Sequence, residues 1–403
     1  MEYKVKFMGA VCALCAAWVC GCQKVESVHQ ETLAGAEPPA FVTVEDVARL
    51  LSEVPVGPEQ MGEVHAAVVS SAANGYDEEY RMQDLFDAPG SGVGAAGTKA
   101  AGSYERPLRD LLREALSARL GTKGAEGASD GDGISPLEQE SYLDSLQASD
   151  VQIYWPYSAS WDGRALPVVT FDPGDYATTN VGFVRRSDGS IEKVLVDEAM
   201  ARERPVWVVN RNADAEYKSL ELRRREDPSW GTGGGDILVR TKADPDTFKS
   251  LILRSFKAKR QYDNWFSGAA EFFVKLGSVE DFTASTEAEL RLYQPSVTDF
   301  MIVVRRGQVG EDIPFNAVLV SEWTEQLESC AFMVIEDDGG TVTTWKCAAV
   351  VKYSSRSYGF EIEIPVNSRD DIVWRGALSR RYIERYSGTV GHFGDVDLVL
   401  ELI

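Results

Sequence analysis

Histidine is scarce in this chain, with three in 403 residues, at positions 29, 65 and 392. A Ser-His-Asp or Cys-His centre would need one of them as its base, and a histidine-rich zinc site needs more than are present. HExxH and P-loop patterns are also missing, and the matches to CxxC (Cys12 to Cys15) and GxSxG (Gly127 to Gly131) fall in the apolar stretch near the start and in a low-complexity break, not at a strand-to-helix turn, which removes the sequence support for metalloprotease and α/β-hydrolase chemistry. Cysteine is confined: four of six lie in residues 12–22, leaving Cys330 and Cys347 beyond them. Basic residues are outnumbered, 41 Lys and Arg against 63 Asp and Glu, for a net charge of −22. Nucleic acid and anionic lipid headgroups are therefore poor partners for the body of the protein. No later segment approaches the roughly 20 apolar residues that a membrane-spanning helix needs.

What is present at the start reads as an export signal. Lys4 and Lys6 form a short positive region, an apolar stretch runs from Phe7 to Val19, and small residues follow. That is the layout of a signal peptide covering residues 1–21. Val19-Cys20-Gly21-Cys22 resembles a bacterial lipobox, with Cys20 as a departure at its second position. Lipid on Cys22 would then attach the mature chain to a membrane. Gln23, in place of Asp, fits transit to the outer membrane. Cleavage also takes away Lys4, Lys6 and Glu2, so the net charge becomes −23. Residues 22–40, with Gly35, Pro38 and Pro39 and no hydrophobic period, read as a flexible tether.

The body reads as α+β in several domains. Thr43 and Asp46 ahead of Val47, Leu50 and Leu51 predict a capped helix to about Glu53. Pro58 opens a second helix to Ala73, ended by Asn74-Gly75. Helical spacing of Leu108, Leu111, Leu112, Ala115 and Leu116 predicts a third over 106–119, and 136–147 a further one. Residues 41–150 are thus mainly helical, with Gly-rich breaks at 89–102 and 121–133. From Val151 the pattern changes to short β-branched and aromatic runs, a small β-rich domain over 151–222. The charge run and glycines of Arg223 to Gly235 mark a boundary. Beyond it, about nine strand candidates over 236–403, one of them at Glu289–Tyr293, predict an antiparallel β-sandwich.

One hairpin is singled out. Asp338-Gly339 is a two-residue type I′ signal between apolar runs. That turn would set Phe332 opposite Trp345 and Cys330 opposite Cys347, at a position where Cα atoms approach to about 4.5 Å. A disulfide fits that distance, and two buried small hydrophobes fit it as well.

Candidate ligand groups follow. His65 falls in the apolar pattern of the second helix and reads as structural, while His392 lies between glycine and phenylalanine with no partner motif. Asp370 and Asp371, with Asp395 and Asp397, stand at strand ends of the sandwich, where they could gather calcium or serve as turn residues. Tyr154, Trp155, Tyr157 and Trp161 crowd eight residues, as a platform for a glycan or protein ligand or as core. A glycan or peptide hydrolase would need only a positioned carboxylate pair, but so many acids do not single one out.

Val151-Gln152-Ile153-Tyr154-Trp155-Pro156-Tyr157, Trp161-Asp162-Gly163 and Leu166-Pro167-Val168 resemble uncharacterised cell-envelope lipoproteins of the Bacteroidota. Gly75-Tyr76-Asp77-Glu78-Glu79-Tyr80 and Glu336-Asp337-Asp338-Gly339-Gly340 are similar to segments of the same group, so the likeness spans most of the chain. It implies an envelope lipoprotein and no activity. Residues 260–275, with Asp263, Gly268 and Glu271-Phe272-Phe273-Val274, resemble the opening strand of C2-type sandwiches. A membrane-anchored binding or structural protein is the expectation, with a hydrolase as the alternative.

Overall fold

The computed structural model describes residues 42–86, 104–123, 136–174, 177–212, 217–227 and 248–403. The expected signal peptide, the tether with Cys22, the break at 89–102 and most of the break at 121–133 lie outside them. Among the described residues no helix is long and apolar enough to cross a membrane.

α1 (Val44–Glu53) starts where Thr43 Oγ1 accepts the N–H of Asp46 at 3.1 Å. α2 (Pro58–Ala73) starts on Pro58, and Gln60 Oε1 accepts the N–H of Gly57. β1 (Glu79–Arg81) and the one-turn α3 (Met82–Phe86) follow, then α4 (Leu108–Lys123) and α5 (Pro136–Gln147). Glu63 of α2, buried, accepts the first N–H of α4, from Leu108, at 2.7 Å. A carboxylate at a helix N-terminus both satisfies an unpaired donor and faces the positive end of the dipole.

The next strands are β2 (Val151–Tyr154), β3 (Val168–Phe171), β4 (Thr179–Arg185), β5 (Ile191–Asp197) and β6 (Val206–Arg211), with α6 (Glu198–Glu203) before β6. They form one sheet with β1, in the order β1-β2-β6-β3-β4-β5, parallel only between β3 and β6. Leu50 and Leu51 of α1 and Val64 and Val68 of α2 share a core with Val151, Ile153 and Trp207 of that sheet. Helices and middle strands therefore bury one common surface.

α7 (Leu220–Glu226) occupies the start of the expected boundary, and the rest of that boundary lies outside the described residues. Then come β7 (Phe248–Ala258), β8 (Ala270–Ser278), α8 (Glu287–Leu290), β9 (Ser296–Val304), β10 (Ile313–Thr324), β11 (Leu327–Glu336), β12 (Val342–Tyr353), β13 (Arg356–Asn367), β14 (Asp371–Ser379), α9 (Arg380–Tyr386), β15 (Thr389–Phe393) and β16 (Val396–Leu402). The strand expected at Glu289–Tyr293 is absent. Thr286 and Glu289 form a reciprocal capping box there, and the short α8 results.

Two antiparallel sheets, β10-β7-β16-β15 and β13-β12-β11-β8-β9, cover one core that includes Leu253 and Phe256 of β7, Phe272 and Val274 of β8, and Leu398 of β16. This is the predicted α+β organisation with a mostly antiparallel C-terminal half.

The hairpin at Asp338-Gly339 is a correction. A type I′ turn needs positive φ at both central residues, but it is Gly339 and Gly340 that have it, at +67° and +106°. β12 pairs with β11 only at Leu327↔Val351 and Ser329↔Val350. β14 takes the rest of that edge, setting Cys330 opposite Leu378 and Phe332 opposite Gly376. Cys330 and Cys347 are free thiols, the first fully buried, and burial pushes the Cys330 thiol up. Two-residue turns of this half are instead Ser354-Ser355, both at positive φ, between Tyr353 and Arg356, and Gly394-Asp395, between Phe393 and Val396. Gly394 has φ +63°, and a Cβ there would collide with the Val373 carbonyl.

Candidate functional site

One end of the first sheet meets one end of the sandwich in a cleft of about 420 Å³. On the sheet side its walls are Asp77 and Glu79 beside β1, Asp172 after β3, and Arg211 and Asn212 at the end of β6. The sandwich side supplies Asp263 and Ser267 from the loop between β7 and β8, Glu271 of β8, Asp337 and Asp338 after β11, and Arg369. Seven carboxylates against two arginines make it strongly negative, and Arg211 already pairs with Asp150.

The β7–β8 loop holds the two halves together. Trp265 and Phe266 insert among Tyr154, Val168 and Val196 of the first sheet. Asn210 of β6 donates its Nδ2 to the Phe266 and Ser267 carbonyls, at 3.0 and 2.6 Å. Ser267 Oγ donates to Asp172 at 3.3 Å. Asp77 accepts the N–H of Glu78 at 2.7 Å with one oxygen and the N–H of Ala269 at 2.8 Å with the other. Complete burial still wins over those two donors and pushes the Asp77 carboxyl up to about 7.

A carboxylate cluster forms the floor. Ligand oxygens of Asp263, Glu271 and Glu336 all lie within 4.8 Å of one another, the single such group of three among the described residues. Glu336, the last residue of β11, is 0% exposed; no N–H or hydroxyl reaches either of its carboxyl oxygens or Asp263 Oδ2, and the two carboxyls have only each other as hydrogen-bond partners there. Burial, then the neighbouring negative charge of Asp263, pushes the Glu336 carboxyl far up, and burial raises Asp263 to about 6. Like charges this close do not all ionise without a counter-ion, so in its absence the pair keeps a proton.

The residues singled out from the sequence lie elsewhere. Tyr154 and Trp155 are buried, and Trp155 packs edge-on against Trp161, Trp207 and His65, so that aromatic cluster is core. Tyr157 is half-buried, donating its hydroxyl to Glu198 at 2.6 Å. The four proposed metal ligands are not gathered. Asp395 is held by Arg260 at 2.7 Å, and Asp397 by Lys259 and His392, each at 2.6 Å. Asp370 accepts the N–H of Asn367 at 2.6 Å, and Asp371 opens β14 opposite Glu336. Cationic partners answer Asp395 and Asp397, and a turn donor answers one oxygen of Asp370, while its other oxygen is buried without an N–H or hydroxyl donor.

No family model, no curated protein and no solved structure matches this chain.

Proposed function

We propose that the protein is an exported lipoprotein, attached by lipid on Cys22 to the outer membrane of a bacterial envelope, whose body captures a cationic ligand in the acidic cleft. The ligand class is a Lys- or Arg-bearing segment of a partner protein. The observation that carries this reading is the convergence of seven carboxylates, from points as distant as Asp77 and Asp338, on one cleft with two arginines. Its volume falls in the ordinary range for ligand sites, but its walls are polar, so charge and hydrogen bonds select the ligand. A glycan finds no stacking platform there, because Tyr76 is the one aromatic of the lining and its hydroxyl donates to the Tyr217 carbonyl at 3.0 Å.

The hydrolase alternative gains from the same convergence of acids. Against it, Glu336, the carboxyl that best keeps a proton, is fully buried and outside the lining, and both Asp77 oxygens hold backbone donors. Binding is the better account.

Fluorescence anisotropy of labelled basic and acidic peptides, with the full chain in detergent, tests the reading. The basic peptide should bind selectively and weaken as salt rises. Neutralising two lining acids that reach solvent, Asp172→Asn with Asp338→Asn, should weaken it about tenfold, since each solvent-open pair contributes up to about 1 kcal/mol. Equal binding of both peptides would overturn the cleft assignment. Separately, Cys22→Ser should move the chain from the membrane to the soluble fraction, and retention would refute the anchor.

A further inference from the structure

We infer that Asp263, Glu271 and Glu336 form a calcium site at the floor of the cleft. The cluster alone would be weak ground, since acidic groups often meet without an ion. Glu336 supplies the independent observation. It is 0% exposed, it stands among the carboxylate oxygens of the other two, and no N–H or hydroxyl reaches either of its oxygens, so that its one hydrogen-bond partner is the Asp263 carboxyl, another acid. Buried acceptors in native proteins are almost always satisfied, and an unsatisfied one costs about 1–3 kcal/mol, more for a charged group. Nothing in the packing requires an acid there. β11 reaches Glu336 through a run of buried apolar residues, Met333, Val334 and Ile335, and a further apolar side chain would continue that core.

The donor set fits a hard cation. All three ligands are carboxylates, with no sulfur or nitrogen, which suits Ca²⁺ or Mg²⁺ rather than zinc or copper. The three ligand atoms, all within 4.8 Å of one another, lie close enough to share one ion. Calcium accepts an irregular set of carboxylate oxygens, whereas magnesium demands near-ideal octahedral geometry and keeps most of its water, so a site built from three protein carboxylates on two strands and a loop suits calcium. Water entering from the cleft would complete the six to eight oxygens.

The position gives the ion a structural consequence. Glu271 and Glu336 belong to neighbouring strands β8 and β11, whereas Asp263 belongs to the loop that inserts Trp265 and Phe266 into the other half. An ion here would fix that loop to the sandwich, and with it one wall of the cleft. The site does not depend on which ligand the cleft takes, so it is measured without one.

The test is calorimetric titration of calcium chloride into the full chain in detergent, stripped with EDTA and passed into chelator-free buffer, with magnesium chloride as a parallel arm. One saturable calcium per chain is expected, together with a rise in Tm. Glu336→Gln keeps the shape of the neutral side chain and removes the charge, and it should weaken calcium binding at least tenfold. Asp395→Asn, on an acid already held by Arg260, should leave binding unchanged. If the Glu336→Gln variant fails to fold by circular dichroism, Asp263→Asn is read in its place, with the same tenfold loss expected. Absence of saturable binding at 5 mM calcium, magnesium binding in preference to calcium, or wild-type affinity in the folded variant overturns the site.

Discussion

Wild-type protein should be more stable at pH 5 than at pH 8, and Asp77→Asn should lose a large part of that difference. The folded carboxyl of Asp77 sits at about 7 against an ordinary 3.8, because burial outweighs its two backbone donors. The native state therefore holds a proton that the unfolded chain releases, so this group's contribution is complete below pH 4 and is lost as the pH rises through 7. Linkage over that window gives on the order of 2–3 kcal/mol between pH 5 and pH 8. Other raised acids, Asp263 and Asp370 among them, slope the same way, so the informative quantity is the gap between wild type and variant. The Asp77→Asn side chain keeps one acceptor and loses the other, a cost of about 1–3 kcal/mol that does not vary with pH. Urea unfolding across pH 5–8 should show the gap shrinking as the pH rises. A constant gap would mean that the N–H groups of Glu78 and Ala269 keep Asp77 ionised throughout.

The elements with strong local signals were legible, and those decided by competition between strands were not. α2 and α5 begin and end where Pro58, Asn74, Pro136 and Gln147 place them, because caps and apolar spacing act within one element. The hairpin at Asp338-Gly339 failed for a reason outside its own residues. β14 offers β11 an eight-residue ladder, from Ser329↔Ser379 to Glu336↔Asp371, and Gly376 opposite Phe332 leaves room for the rings of Trp374 and Phe393. That aromatic cluster outcompetes the Phe332–Trp345 pair that the hairpin would have formed. Gly394-Asp395, a turn of equal brevity, went unnoticed because the residues before it, Thr389 to Phe393, lack a long apolar alternation.

The candidate site was less legible still. Its parts were present as fragments: Asp77 to Tyr80, the loop with Asp263, Glu271 and the end of β11 were all noted for other reasons. Their meeting depends on contacts such as Asp77 to Ala269, 192 residues apart, which no local pattern encodes. In a chain with 63 acids, what distinguishes Glu336 from Asp395 is that its only hydrogen-bond partner is another acid, a property of packing alone. The aromatic crowding at Tyr154 to Trp161 stood out more in the sequence and proved to be core, since β2 is buried along its whole length and His65 braces the rings that follow it.

Arg306 should be the residue whose loss most disturbs the join between the halves. It follows β9 in the sandwich, its side chain is 8% exposed, and it donates to the Asp263 carbonyl at 2.8 Å while standing 3.6 Å from Glu198 of α6. Arg306→Met keeps the volume, removes the charge and leaves that carbonyl short of a donor. Glu198 is a third exposed and retains Arg202 at 3.2 Å, so no uncompensated buried charge is left, and the expected loss is that of the orphaned Asp263 carbonyl, about 1–3 kcal/mol. Arg306→Lys keeps the charge but has no planar fork to reach the Asp263 carbonyl and Glu198 together, so it should recover no more than about half. Because the guanidinium holds the backbone of Asp263, both variants should also weaken calcium binding without removing any ligand. Denaturant unfolding and calcium titration on the same preparations separate the two effects. An Arg306→Met protein as stable as wild type would show that Trp265 and Phe266 hold the halves together without this arginine.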